Sequence, residues 1–227
     1  MPIQTKQFPG LTGNQLKILA MIAMTCDHVG LQLLPQYPLL RLIGRLALPI
    51  YAYMIAEGCR HTRSRKRYLL RLVLLASVCQ LVYFFAMESL YQCILVTFSL
   101  SVGLIYLMDD RHGRPRWGWL YTALAAAFFL CQVLPDLLPG TDFAIDYGIT
   151  GVLLPVMIYA GKSPLMGLVM GLLLLALQHG GLQWYAFAAV PLLMLYNGRR
   201  GTAKIGNLFY FYYPAHLVVI WLISLFL

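Results

Sequence analysis

Residues 16–34 read LKILAMIAMTCDHVGLQLL, an apolar run interrupted by charge or imidazole only at Lys17, Asp27 and His28. A helix crossing the hydrocarbon of a bilayer needs roughly 17–25 residues, so the run is long enough to span. It is not a cleavable signal peptide by pattern. It follows Lys17, runs long, carries Asp27 and His28, and has no obvious small-residue cleavage site.

Further apolar runs follow at about 39–58, 68–87, 91–108, 117–134, 147–160, 164–178, 182–197 and 206–226. Lipid cannot satisfy free backbone groups, and the runs lack the alternation of a barrel, so helix is the expected state of each. The runs at 147–160 and 164–178 are short and are expected to be tilted or partly re-entrant. The expected fold class is therefore all-α, a polytopic transmembrane helical bundle of about nine spans, with residues 1–227 as one domain. Composition agrees: 60% of residues are hydrophobic and 11% charged, against about half and a quarter in soluble domains.

The net charge of +9 does not indicate nucleic acid, because no basic domain or motif accompanies it. The charges sit in short loops and predict orientation. With the N-terminus in the cytoplasm, Lys6, Lys17, the run Arg60 to Arg71, Arg111, Arg114, Arg116, Lys162, Arg199, Arg200 and Lys204 fall on the cytoplasmic side. Glu88, Asp136, Asp142 and Asp146 fall outside, as does the C-terminus. The stretch Arg63 to Arg71 also suits anionic lipid headgroups. Trp117, Trp119, Trp184 and Tyr185 read as an interfacial belt. The five cysteines show no CxxC spacing and read as packing residues, and no metal is expected. Met166-Gly167 to Gly171 is a weak small-residue candidate for an oligomer interface, and the oligomeric state stays open.

Arg41 and Arg45 break the charge pattern, lying at the outer start of the second span. Ionisable residues at membrane depth are costly and usually functional. Arg45 reaches about the depth of Asp27 and His28, and an Arg45–Asp27 ion pair is the simplest way to hold both. Pro49 is expected to kink the second span. Asp146 opens the sixth span, and His216 lies in the last at a depth similar to His28. Asp27, His28, Arg45, Asp146 and His216 are thus the candidate catalytic cluster. Lys17, Glu57, Arg60, His61, Arg63 and Arg71 are the candidate donor-binding set at the cytoplasmic mouth. Lys17 and His28 are eleven residues apart, on nearly one helix face and roughly 16 Å apart along the axis. A basic collar suits a phosphate-rich coenzyme. A deeper histidine with an acid suits general-base or acyl-transfer chemistry.

The segments LKILAMIAMTCDHVG (16–30), RLIGRLALPIYAYMIAEGCRHTRSRKRYLLRL (41–72), DYGITGVLLPVMIY (146–159) and LFYFYYPAHL (208–217) together resemble the TraX family of membrane proteins, with Leu48 and Tyr51 where aromatic Phe is usual. The resemblance implies an acetyl-CoA-dependent membrane acetyltransferase in the inner membrane of a bacterium. It implies acyl transfer to an amine or hydroxyl of a peptide, pilin-like or glycan acceptor. By it, Lys17, Asp27, His28, Gly44, Arg45, Pro49, Glu57, Gly58, His61, Asp146, Tyr147 and His216 match family positions. The spacing from Lys17 to His28 also resembles the first span of acyltransferase-3-type enzymes. The roles that follow are His28 as base, Asp27 or Asp146 as orienting acid, Arg45 as charge stabiliser, and Lys17 with the cytoplasmic arginines on the donor phosphates. The alternative is a proton-coupled transporter using the same buried Asp, His and Arg residues, although no repeat relates the two halves. A non-catalytic scaffold does not account for so many costly polar residues.

Overall fold

The computed structural model describes residues 10–109, 117–202 and 208–226, without the side chains of residues 86 and 208–210. Lys6, Arg111, Arg114, Arg116 and Lys204 lie outside the described residues. The described residues are helical apart from connecting loops and two isolated bridges.

Helix α1 spans Gly13–Gln32. Thr12 starts it: its hydroxyl accepts the Gln15 amide, and the Gln15 side chain accepts the Thr12 amide at 2.8 Å, a reciprocal cap. The chain near residues 199–200 also holds this end, since the Arg199 and Arg200 carbonyls accept the Gly13 and Asn14 amides. The second apolar run is split into α2 (Pro38–Gly44) and α3 (Ala47–His61). The expected kink thus lies at Arg45–Leu46, one turn before Pro49. Proline has no N–H for the carbonyl four residues earlier, and its ring pushes that carbonyl away. Here that carbonyl belongs to Arg45.

Helix α4 (Arg65–Ala86) leads into α5 (Ile94–Met108). After the undescribed loop, α6 (Trp117–Phe128) widens into a π turn at Phe129–Val133 before α7 (Leu134–Leu137). Pro135 explains the widening in the same way, by displacing the Cys131 carbonyl. Helices α8 (Gly148–Ala160) and α9 (Pro164–His179) form a tight antiparallel hairpin. A 3-10 stretch at Gly181–Ala188 runs into α10 (Ala189–Met194), and α11 (Leu208–Ser224) closes the chain. Helix thus occupies each of the nine apolar runs. Among the described residues three stretches, Pro38–His61, Arg65–Phe85 and Trp117–Leu137, are long and apolar enough to cross a membrane.

Packing uses small residues. Ala20, Ala23, Ala52 and Ala56 are fully buried and let helix backbones approach. A Cβ on Gly167 would run into the Met157 carbonyl, so Gly167 and Gly171 serve the α8–α9 contact. That stripe is occupied within the chain and is not open to a second copy. Large apolar residues face outward instead, as on α4, where Leu70, Leu74, Val78, Leu81 and Phe85 are exposed.

Candidate active site

Three elements meet at the C-terminal end of α1. Asp27 points to the break between α2 and α3, where its Oδ1 takes Arg45 Nη2 and its Oδ2 takes Arg41 Nη1 at 3.0 Å. The expected Arg45–Asp27 pair is therefore present, with Arg41 as a third member. This joint pairing accounts for both residues that broke the charge pattern. Arg45 Nη1 also donates to the Tyr147 hydroxyl and to Gln183 Oε1, each at 3.2 Å. Close approach makes the cluster possible, because a Cβ on Gly44 would overlap the Asp27 carboxylate.

His28, one residue on, makes no ion pair among the described residues. Its Nδ1 lies 2.8 Å from His216 Nε2, and His216 Nδ1 lies 3.0 Å from the Tyr212 carbonyl. The Tyr212 hydroxyl meets Thr25 Oγ1 at 2.5 Å, fastening α11 to α1 a turn below. Neither Asp27 nor Asp146 hydrogen-bonds to His28; both Asp27 oxygens are held by arginine. Asp146 instead accepts the Tyr91 hydroxyl at 2.7 Å, and its backbone carbonyl accepts Thr97.

A cavity of about 570 Å³ lies among these groups. Its walls carry Asp27, His28, Arg41, Arg45, Asp146, Tyr147 and His179, and its rim carries Ser89 and Asp142. His216 backs His28 from behind the wall. The loop after α4 is tied across the rim to the loop before α8. Asp142 accepts the Ser89 hydroxyl at 2.5 Å and the Leu90 amide at 2.8 Å. Those two donors hold the Asp142 carboxyl below the usual carboxylate range. Tyr147 sits in the left-handed region, with φ 57° and ψ 10°. That conformation costs a bulky residue of order 1–3 kcal/mol and persists only where the surroundings impose it. Here the Arg45 contact on one side and His179, at 3.3 Å from the Tyr147 carbonyl, fix it.

A narrower, mostly apolar cavity of about 160 Å³ runs from Lys17 and Tyr68 past Leu72 and Phe98. Met24, Tyr51, Ile94 and Tyr213 line both cavities, so the two adjoin at these four side chains. The path from Lys17 to His28 follows one face of α1.

The proposed donor-binding set divides. Lys17 lines the narrow cavity, and Arg200 lies near enough to act on it electrostatically. Glu57, Arg60, His61, Arg63 and Arg71 line neither cavity. Arg60 pairs with Glu57 at 2.8 Å and donates to the Ile158 and Tyr159 carbonyls at 2.7 and 3.1 Å, which caps the end of α8. His61 reaches Glu57 at 3.4 Å from an exposed position. Arg63 and Arg71 are exposed.

Sequence reasoning missed several members. Tyr91, His179 and Gln183 lie in loops or helix ends with no polar pattern around them. Tyr212 and Tyr213 lie inside the recognised YYPAH segment, and only the contact between α11 and α1 shows what they do.

A family model described as TraX protein matches residues 12–224. The "Probable fimbrial assembly protein FimC, serogroup H1" of Dichelobacter nodosus is 29% identical over 253 residues, covering 94% of this chain and 96% of that protein. An uncharacterized protein of Rickettsia prowazekii (strain Madrid E) is 53% identical over 38 residues, 17% of this chain and 15% of that protein. No solved structure matches the chain.

Proposed function

The chain belongs to the TraX family, and from that membership and its paired cavities we propose that it is a membrane-embedded acyltransferase. It moves an acetyl or short acyl group from acyl-CoA to an amine or hydroxyl of a peptide or glycan acceptor. The observation that carries this reading is the junction of the two cavities at Met24, Tyr51, Ile94 and Tyr213. A narrow apolar channel suits an extended thioester-bearing chain. Lys17 on its lining, with Arg200 near enough to Lys17 to act on it electrostatically, suits the phosphates that such a chain carries. The wide polar cavity suits an acceptor, with the reacting carbonyl placed where the two spaces meet.

In this scheme His28 removes the proton from the acceptor nitrogen or oxygen as that atom bonds to the acyl carbon. The carbon–sulfur bond breaks, and the coenzyme thiolate leaves and recovers the proton. Negative charge gathers on the carbonyl oxygen before the bond breaks. Arg41 and Arg45 are the two guanidiniums on the wall of that cavity, beside the carboxylates of Asp27, Asp142 and Asp146, and in this scheme their N–H groups face the developing charge. The reading includes nine spans in a bacterial inner membrane, with Lys17, Arg60 and Arg65 at the cytoplasmic end and Glu88, Asp136 and Asp142 at the other. The fimbrial name of the Dichelobacter relative favours a pilin-like peptide as the first acceptor to try.

Acetyl-CoA binding to the purified chain in detergent tests the donor site. Wild type and His28→Ala are expected to bind alike, and Lys17→Ala at least about tenfold more weakly, the equivalent of roughly 1.4 kcal/mol. Binding by Lys17→Ala equal to wild type, or none by stable wild type, refutes the assignment.

A further inference from the structure

The two histidines meet edge to edge. Their centroids are 5.0 Å apart and their planes 21° apart. That separation matches the 2.8 Å between Nδ1 of His28 and Nε2 of His216 plus two ring radii. The contact is therefore an in-plane hydrogen bond and not a face-to-face stack.

The proton's direction follows from the far end of the chain of bonds. A carbonyl oxygen only accepts, so His216 Nδ1, 3.0 Å from the Tyr212 carbonyl, carries a hydrogen. In the neutral ring Nε2 is then bare and must accept. His28 Nδ1 supplies that proton, and His28 Nε2 is left with its lone pair free. No carboxylate hydrogen-bonds to either ring among the described residues, so neither is held as an imidazolium by an acid.

The α11 side of this relay is itself braced. The Tyr212 and Tyr213 rings enclose His216, the first parallel to it at 5.3 Å and 6°, the second edge-on at 5.4 Å. Thr25 spends its hydroxyl hydrogen on the Met21 carbonyl, so the Tyr212 hydroxyl donates to Thr25. Thr25 and His28, a turn apart on α1, thus grip Tyr212 and His216, a turn apart on α11. This double grip sets the register of the two helices.

We propose that His216 is a positioning residue: it fixes the tautomer of His28 so that Nε2 is the base, the part an acid plays in acid–histidine pairs. The proposal deepens the acyltransferase reading and rests on it for the use made of that nitrogen. A histidine in the wrong tautomer with its geometry intact loses about 10⁴ in kcat in the serine-protease case.

The test is nitrogen-15 NMR of the full chain, labelled at histidine and held in lipid bilayers, with the His28 signals assigned by their loss in His28→Gln. The expected spectrum has a protonated Nδ1 and an unprotonated Nε2 at His28. The reverse, or a ring averaging between tautomers, overturns the proposal. His216→Gln keeps an acceptor oxygen for His28 Nδ1 and should keep the spectrum; His216→Leu should lose it, and an unchanged spectrum there also overturns it. In acetyl transfer, His216→Leu should lose at least about 100-fold in kcat with little change in the acetyl-CoA KM, and His216→Gln should recover most of it. The NMR experiment needs no acetyl-CoA. The expected tautomer in a protein that transfers nothing would refute the acyltransferase reading alone.

Discussion

Replacing Asp27 with asparagine keeps the side chain's shape and removes its charge, which isolates the electrostatic part of the cluster. Asp27 is 14% exposed at the side chain, Arg45 9% and Arg41 24%. One carboxylate therefore serves two guanidiniums that water reaches poorly. A unit pair at 4 Å is worth about 4 kcal/mol at an effective dielectric constant of 20. Breaking a buried pair by removing one partner costs about 3–5 kcal/mol, because the other charge stays behind. Asp27→Asn strands both arginines and should fall in that range. Arg45→Gln should cost less, although it also ends the bonds to Tyr147 and Gln183. Arg41→Gln should be mildest, since it removes the more exposed arginine and leaves one carboxylate facing one guanidinium. Thermal unfolding in detergent, followed by tryptophan fluorescence, reads the order. For a chain of this size Asp27→Asn should lower Tm by at least about 6 °C. An Asp27→Asn protein within about 2 °C of wild type, or an Arg41→Gln protein less stable than Arg45→Gln, would refute the reasoning.

Three other substitutions probe separate parts of the account. Gly44→Ala should destabilise by about 1–3 kcal/mol through overlap with Asp27, although Gly→Ala inside a helix ordinarily stabilises; the sign of the Tm change decides. Arg60→Met should lose about 1.5–3 kcal/mol of stability with the α8 carbonyls uncapped, while acetyl-CoA affinity in a binding titration stays within about twofold of wild type. Tyr91→Phe should cost about 1–3 kcal/mol by leaving the Asp146 carboxyl oxygen without its donor, and chemical denaturation in detergent should show it.

The helices were legible because lipid leaves the backbone one solution, and the apolar runs, including the short ones at 147–160 and 164–178, are set apart by polar loops. The Asp27–Arg45 pair was legible for a related reason: opposite charges at one depth in neighbouring helices rarely have another outcome. Three features were not. The break at Arg45 lies a turn before the proline that causes it. Arg60 looked like a phosphate ligand from its neighbours in a basic run, but its partners are α8 carbonyls remote in sequence, and backbone acceptors leave no residue pattern. The sequence offers Asp27 or Asp146 as the acid that orients His28, and neither hydrogen-bonds to it. Adjacent helical residues point about 100° apart, so Asp27 faces α2 and α3 while His28 faces α11. The tyrosines around His216 were visible as a motif, but their use depends on how α11 packs.

Acyl transfer itself is the most direct test of the central claim. The purified chain would be reconstituted in liposomes with acetyl-CoA labelled in the acetyl group and a fimbrial-subunit peptide or a glycan as acceptor. The account predicts label on the acceptor, lost with His28→Gln and reduced with Lys17→Ala. An intact protein that moves no label to either acceptor, yet carries a solute across the liposome membrane in a way that depends on Asp27 and His28, would contradict it and make the chain a transporter.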